Sequence, residues 1–116
     1  PRIFRLAPDR AVINRMGFPN QGLDQFAAGL DRRQGRGGMV GVNLGANLDS
    51  EDRVADYVTC LDRLKDLAQF FTVNISSPNT PGLRNLQARG VLDELLSAVA
   101  QVRGKAPVFL KIAPDI

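Results

Sequence analysis

Phe71-Thr72-Val73-Asn74-Ile75-Ser76-Ser77-Pro78-Asn79-Thr80-Pro81-Gly82 is the stretch that decides the fold. Phe71, Val73 and Ile75 alternate with Thr72 and Asn74, which is the period of a strand with a buried apolar face. The strand then breaks into a loop dense with amide and hydroxyl side chains. Pro78 and Pro81 fix φ at their own positions and bias Ser77 and Thr80 toward extended backbone. Ser77, Asn79 and Thr80 are therefore held with little freedom just past a strand end, where α/β proteins build binding and catalytic sites. A proline-rich turn between two elements is the plain alternative, and the neighbouring strands decide between the two.

Upstream, Met39-Val40-Gly41-Val42-Asn43-Leu44-Gly45 has the same period, with Val40, Val42 and Leu44 on one face. Downstream, Val108-Phe109-Leu110-Lys111-Ile112-Ala113 is a third such run. Between the first two lies a helix whose start is loaded with Asp49, Glu51 and Asp52, where a helix N-terminus favours negative charge. Val54, Tyr57, Val58, Leu61, Leu64, Leu67 and Ala68 recur along it at helical spacing. Leu92, Leu95, Leu96, Val99 and Val102 mark another helix, with Gly104 as its C-terminal cap. A first helix carries Leu23, Phe26, Ala27 and Leu30; Asn20 can cap it, and Gly35, Gly37 and Gly38 end it. Residues 1–18 read as an irregular lead-in with two short apolar runs, Ile3-Phe4 and Ala11-Val12-Ile13. The order helix, strand, helix, strand, helix, strand predicts a parallel sheet with crossover helices. Each strand is apolar enough to expect burial on both faces.

Each strand also carries one strongly polar side chain near its C-terminal end: Asn43, Asn74 and Lys111. Polar groups in buried strands are costly unless satisfied, and a single one is ordinarily structural. Three at matching places, on the rim where parallel α/β folds bind ligands, predict a site beside the Ser77 loop. Amides can read the edge of a planar ring, and a lysine can stabilise an anion. The chain has no histidine, which excludes a His-based triad within it and a His/Cys zinc cluster. The pattern suits a heterocyclic cofactor with a flat polar substrate better than hydrolysis. Asn14-Arg15-Met16-Gly17-Phe18 suits capture of a polar, anionic small molecule, a glycine-proline turn before a helix being the alternative.

With 116 residues, 44% hydrophobic and 23% charged, the chain fits one small globular domain. Its net charge of +3 is scattered; only Arg32, Arg33 and Arg36 cluster, and no stacking aromatics or motif support a nucleic-acid partner. Cys60 cannot form an intramolecular disulfide, and its place in a helical pattern suits a buried structural thiol. No apolar run is long enough to span a membrane, and no targeting segment is present. Both ends read as cut, from Pro1 to a stop directly after a strand, so a larger parent is expected.

Asn14-Arg15-Met16-Gly17-Phe18, Gly41-Val42-Asn43-Leu44-Gly45, Asn74 through Arg84, and Lys111-Ile112-Ala113-Pro114-Asp115 together closely resemble the dihydroorotate dehydrogenase family, in order and over essentially the whole chain. Ser77 stands where the cytosolic branch has cysteine, which with the Asn-Arg-Met-Gly-Phe motif implies the quinone-dependent, membrane-associated branch. The resemblance implies that residues 1–116 are a partial FMN-binding domain, a central segment of a (β/α)8 TIM barrel. It implies oxidation of dihydroorotate to orotate in pyrimidine synthesis, with FMN as cofactor and quinone as acceptor. By motif position Ser77 is the base, passing its proton on through Thr80 or a water. Asn14, Arg15, Met16, Gly17, Phe18, Asn74 and Asn79 are substrate contacts, and Asn43, Asn74 and Lys111 are flavin ligands. The family's N-terminal membrane-contacting helices and its glycine-rich loops for the FMN phosphate lie outside these residues. The parent is then expected peripherally on the cytoplasmic side of the inner membrane. Two other readings stay open: another flavin barrel acting on pyrimidines, and an inert or self-associating fragment whose unpaired strand edges invite association.

Overall fold

Alternation in three short apolar runs builds the sheet. The structure is a computed structural model that describes residues 1–115. Its elements are β1 (Ile3–Leu6), β2 (Ala11–Asn14), α1 (Leu23–Arg32), β3 (Gly41–Leu44), α2 (Arg53–Leu64), β4 (Phe70–Asn74), a 3₁₀ turn (Leu83–Gln87), α3 (Arg89–Val102) and β5 (Val108–Lys111). Strands β3, β4 and β5 form one parallel sheet with β4 in the centre. Val42 and Leu44 of β3, with Phe71, Val73 and Ile75 from β4 and its exit, turn toward the helices and are buried there. Tyr57, Leu61 and Leu64 of α2 and Leu95 and Val99 of α3 meet them, and α2 packs on α3. This helix-covered face is the hydrophobic core.

Local signals account for the helix boundaries. Asp52 caps α2, its side chain accepting from Ala55 N at 3.0 Å. Gly104, with φ 61, supplies the left-handed residue just past α3. Asn20 does not cap α1. The N-cap is Gly22, and Asn20 instead bridges its own loop, donating to Phe18 O and accepting from Gly22 N, both at 2.8 Å.

Three other expectations change. Within 1–18, residues 3–14 are not irregular: β1 and β2 pair as an antiparallel hairpin, with Leu6 opposite Ala11 and Ala7–Arg10 as its turn, while 15–18 carry no regular structure. The signal was Pro8-Asp9 between two apolar runs, which is turn chemistry. The turn Leu83–Gln87 was not expected either; Leu83 and Leu86, three apart, eclipse on its buried side. Lastly, the strands are not buried on both faces. Gly41 and Asn43 are exposed, and Phe109 is 58% exposed, because among the described residues no layer covers the second face of the sheet.

Candidate functional site

The helix-free face carries Gly41 and Asn43 from β3, Phe70, Thr72 and Asn74 from β4, and Phe109 and Lys111 from β5. Strand direction divides it. At the amino ends Phe70 and Phe109 meet edge to face, with ring centroids 5.9 Å apart at 87°. A Cβ on Gly41 would lie 2.1 Å from the Phe70 ring, so only glycine fits beneath it. At the carboxyl ends the face turns polar.

Register places Asn74 opposite Lys111 but Asn43 opposite Thr72, so Asn43 sits one pleat back from the other two. Hydrogen bonds close the offset. Lys111 Nζ donates to Ser76 Oγ at 2.5 Å, Ser76 Oγ donates to Asn74 Oδ1 at 2.7 Å, and Asn74 Nδ2 donates to Asn43 Oδ1 at 3.1 Å. Ser76 N also donates to Asn74 Oδ1, at 3.0 Å. All donors run the same way, from the cation outward, so each bond polarises the next. The Lys111 ammonium keeps its other protons for a ligand.

Ser76 is the hub of this chain, and it was missed as a site residue. Its parity was the available signal: two residues past Asn74 in an extended segment, it faces the same way. Helical spacing places Tyr57 in the core, and it is also an anchor. Its hydroxyl, buried, donates to Asn74 O at 2.7 Å and pins the end of β4 to α2. Burial pushes its pKa up to about 12, so it remains a neutral donor.

Ser77 lies half-buried beyond the ladder, and its Oγ accepts from Asn79 N at 3.2 Å. The residues at 14–18 form the exit of β2. Asn14 is exposed and its side chain accepts from Met16 N at 3.4 Å. Arg15 donates to Pro1 O and stacks its guanidinium 5.8 Å over the Phe4 ring. Phe18 reaches the sheet, packing on Gly45, where an added Cβ would meet its ring at 3.2 Å.

A cavity of about 1000 Å³ brings Arg15, Met16, Gly17 and Phe18 together with Asn43, Asn79 and Thr80. It also extends toward α1 and α2, along Phe26, Cys60 and Leu64. Asn14, Asn74, Ser77 and Lys111 do not line it; Asn74 joins it only through its bond to Asn43. Burial and the Asp56 carboxylate raise the pKa of Cys60, which keeps it a thiol. Among the described residues there is no cluster that could hold a metal ion, and no helix is long and apolar enough to cross a membrane.

A parallel sheet with helices on one face and convergent polar groups at the carboxyl ends of its strands on the other defines a segment of a (β/α)8-barrel enzyme. The chain matches the family model described as dihydroorotate dehydrogenase over residues 1–116, and it belongs to that family. It is 61% identical to dihydroorotate dehydrogenase (quinone) of Brucella anthropi, covering 100% of this chain and 34% of that protein. It is 60% identical to the mitochondrial dihydroorotate dehydrogenase (quinone) of Cyclocybe aegerita, covering 100% and 38%. Among solved structures, Eimeria tenella DHODH in complex with ferulenol matches with TM-score 0.90 at 36% identity, over 100% of this chain and 39% of that one. The ligand-free form of the same enzyme matches with TM-score 0.88 at 37% identity, over 100% and 40%. The chain thus spans little more than a third of the length of the relatives it matches.

Proposed function

We propose that this segment supplies the flavin-ring and proton-accepting groups of a longer enzyme that oxidises dihydroorotate to orotate in pyrimidine synthesis, with quinone as acceptor. One observation carries the reading: the directed chain from Lys111 through Ser76 and Asn74 to Asn43, across three strand ends of a chain in this family. These residues fit a flat heterocycle, offering amides, a hydroxyl and a cation on an uncovered sheet face. Asn43, Asn74 and Lys111 would hold FMN, which when bound supplies the acceptor for the hydride leaving C6. The Lys111 charge would favour negative charge on a ring bound next to it.

Ser77 Oγ takes the proton from C5 while the C5–C6 double bond forms. A hydroxyl is a poor base, so its own proton has to pass on, through Thr80 or a water. The Asn79 N–H donated to Oγ stabilises negative charge developing on that oxygen. Asn14, Arg15, Met16, Gly17, Phe18, Asn74 and Asn79 bind and orient the substrate, and the stiff loop from Ser77 to Pro81 excludes water around it. Membrane contact, peripheral and on the cytoplasmic side, belongs to a region outside these residues.

Rapid mixing of a full-length enzyme carrying this segment tests the base. Ser77→Ala is expected to slow flavin reduction by dihydroorotate by about 10²- to 10⁴-fold, the usual contribution of a general base. Orotate affinity and reoxidation by quinone should stay near normal. Reduction at the normal rate would remove Ser77 from the mechanism.

A further inference from the structure

The 3₁₀ turn Leu83–Gln87 has two sides, because residues three apart eclipse. Leu83 and Leu86 face the core, and Arg84 and Gln87 share another side, facing the loop that leaves β5. Gln87 Oε1 accepts from Ala113 N at 2.7 Å. Arg84 Nη1 donates to both carboxylate oxygens of Asp115 at 3.2 Å, and Arg84 Nε donates to Ser76 O at 3.0 Å. The turn therefore straps the segment after β4 to the segment after β5.

The strap begins where the sheet stops holding the chain. Beyond the pairing of Asn74 with Lys111, the next ladder bond is Ile75 N to Lys111 O, 3.1 Å. Past it, the Ser76 carbonyl is held by Arg84. That carbonyl belongs to the peptide that joins Ser76 to Ser77, so fixing its plane orients Ser77 at its Cα. A guanidinium can satisfy a carbonyl through Nε and a carboxylate through Nη at one fixed angle, which a lysine ammonium cannot do.

We propose that Arg84 is a positioning residue for Ser77, locking the Ser76–Ser77 peptide to the β5 exit through Asp115. This rests on the reading of Ser77 as acceptor of the C5 proton. Asp115 is exposed, so its pairing with Arg84 adds little to folding stability. The contribution lies in aim.

The test uses a full-length, flavin-loaded enzyme carrying this segment and resolves the two half-reactions. Arg84→Lys is expected to slow flavin reduction by dihydroorotate about 10- to 100-fold, as a displacement on the ångström scale would. Its deuterium isotope effect at C5 should be at least that of the wild type, and reoxidation by quinone should stay within about twofold, since the cost falls on proton transfer alone. Asp115→Asn should show the same pattern at smaller amplitude, and it decides the question if Arg84 variants lose flavin. Reduction at the normal rate, or equal loss in both half-reactions, would overturn the assignment. Ser77→Ala, run alongside, separates the two levels. If it reduces flavin normally, both the base and its positioning residue fall; if it is slow while the strap variants are normal, only the strap falls.

Discussion

Val73 and Asn74 are adjacent in β4 and both are buried, yet they face opposite worlds. On the Val73 side, Val42, Leu44, Phe71 and Ile75 close against α2 and α3 with almost no exposure. On the Asn74 side lie Asn43, Lys111 and an uncovered aromatic pair, and every buried polar atom there is satisfied by a neighbour at a strand end. One strand thus serves two purposes through its period of two. Apolar contact on the helix side holds the backbone still, and directed hydrogen bonds on the other side set the chemistry. The two faces should therefore fail differently when mutated.

The sharpest separation should come from the helix face. Phe71→Ala removes a fully buried ring and should lower stability by about 3–5 kcal/mol, read from the denaturant midpoint. Lys111→Ala, on the other face, should leave that midpoint nearly unchanged because the side chain is exposed. It should instead weaken flavin retention about tenfold, or about 1.4 kcal/mol. If Lys111→Ala destabilises the fold and binds flavin normally, the division between the faces is wrong.

Tyr57 joins the faces, so its hydroxyl tests the link between them. Tyr57→Phe removes the buried donor to Asn74 O and should cost about 1–2 kcal/mol. It should also change the alkaline limb of stability. The folded pKa is raised, to about 12 from 10.0, so the unfolded chain loses its proton first as pH rises. Stability is therefore unaffected below about pH 10 and falls between about 10 and 12. That component should vanish in Tyr57→Phe. Unchanged alkaline unfolding would mean that the hydroxyl is not buried in the folded chain.

Much of this was legible before folding. β3 and β5 lie inside their alternating runs, while β4 starts one residue ahead of its run, at Phe70. The helical spacings mark all three helices, but α2 ends at Leu64, so Leu67 and Ala68 pack on the core from the turn beyond it. The polar members of the strands do share one face. The hairpin was lost because its strands are short and largely exposed, leaving no apolar alternation to read. Asn20 looked like a cap because amides cap helices, but Gly22 at φ 93 turns the chain after it, and the amide spans that turn instead. Arg84 and Gln87 could not be placed without the 3₁₀ turn that aligns them.

Sequence alone determined the α/β segment, the alternation of its three later strands with helices and the polarity of each strand face, because periods of 2 and 3.6 are local properties of the chain. It also carried the family resemblance in four contiguous motifs. Only the tertiary structure decided the partners. Lys111 lies opposite Asn74 in the ladder, yet its ammonium reaches Ser76, and Asn43 meets Asn74 from one pleat back. Those choices depend on inter-strand register and on the path of the loop after β4, which bring together residues 31 and 35 positions apart. Contacts at that separation are set by the packing of the whole sheet against its helices, and no local period encodes them.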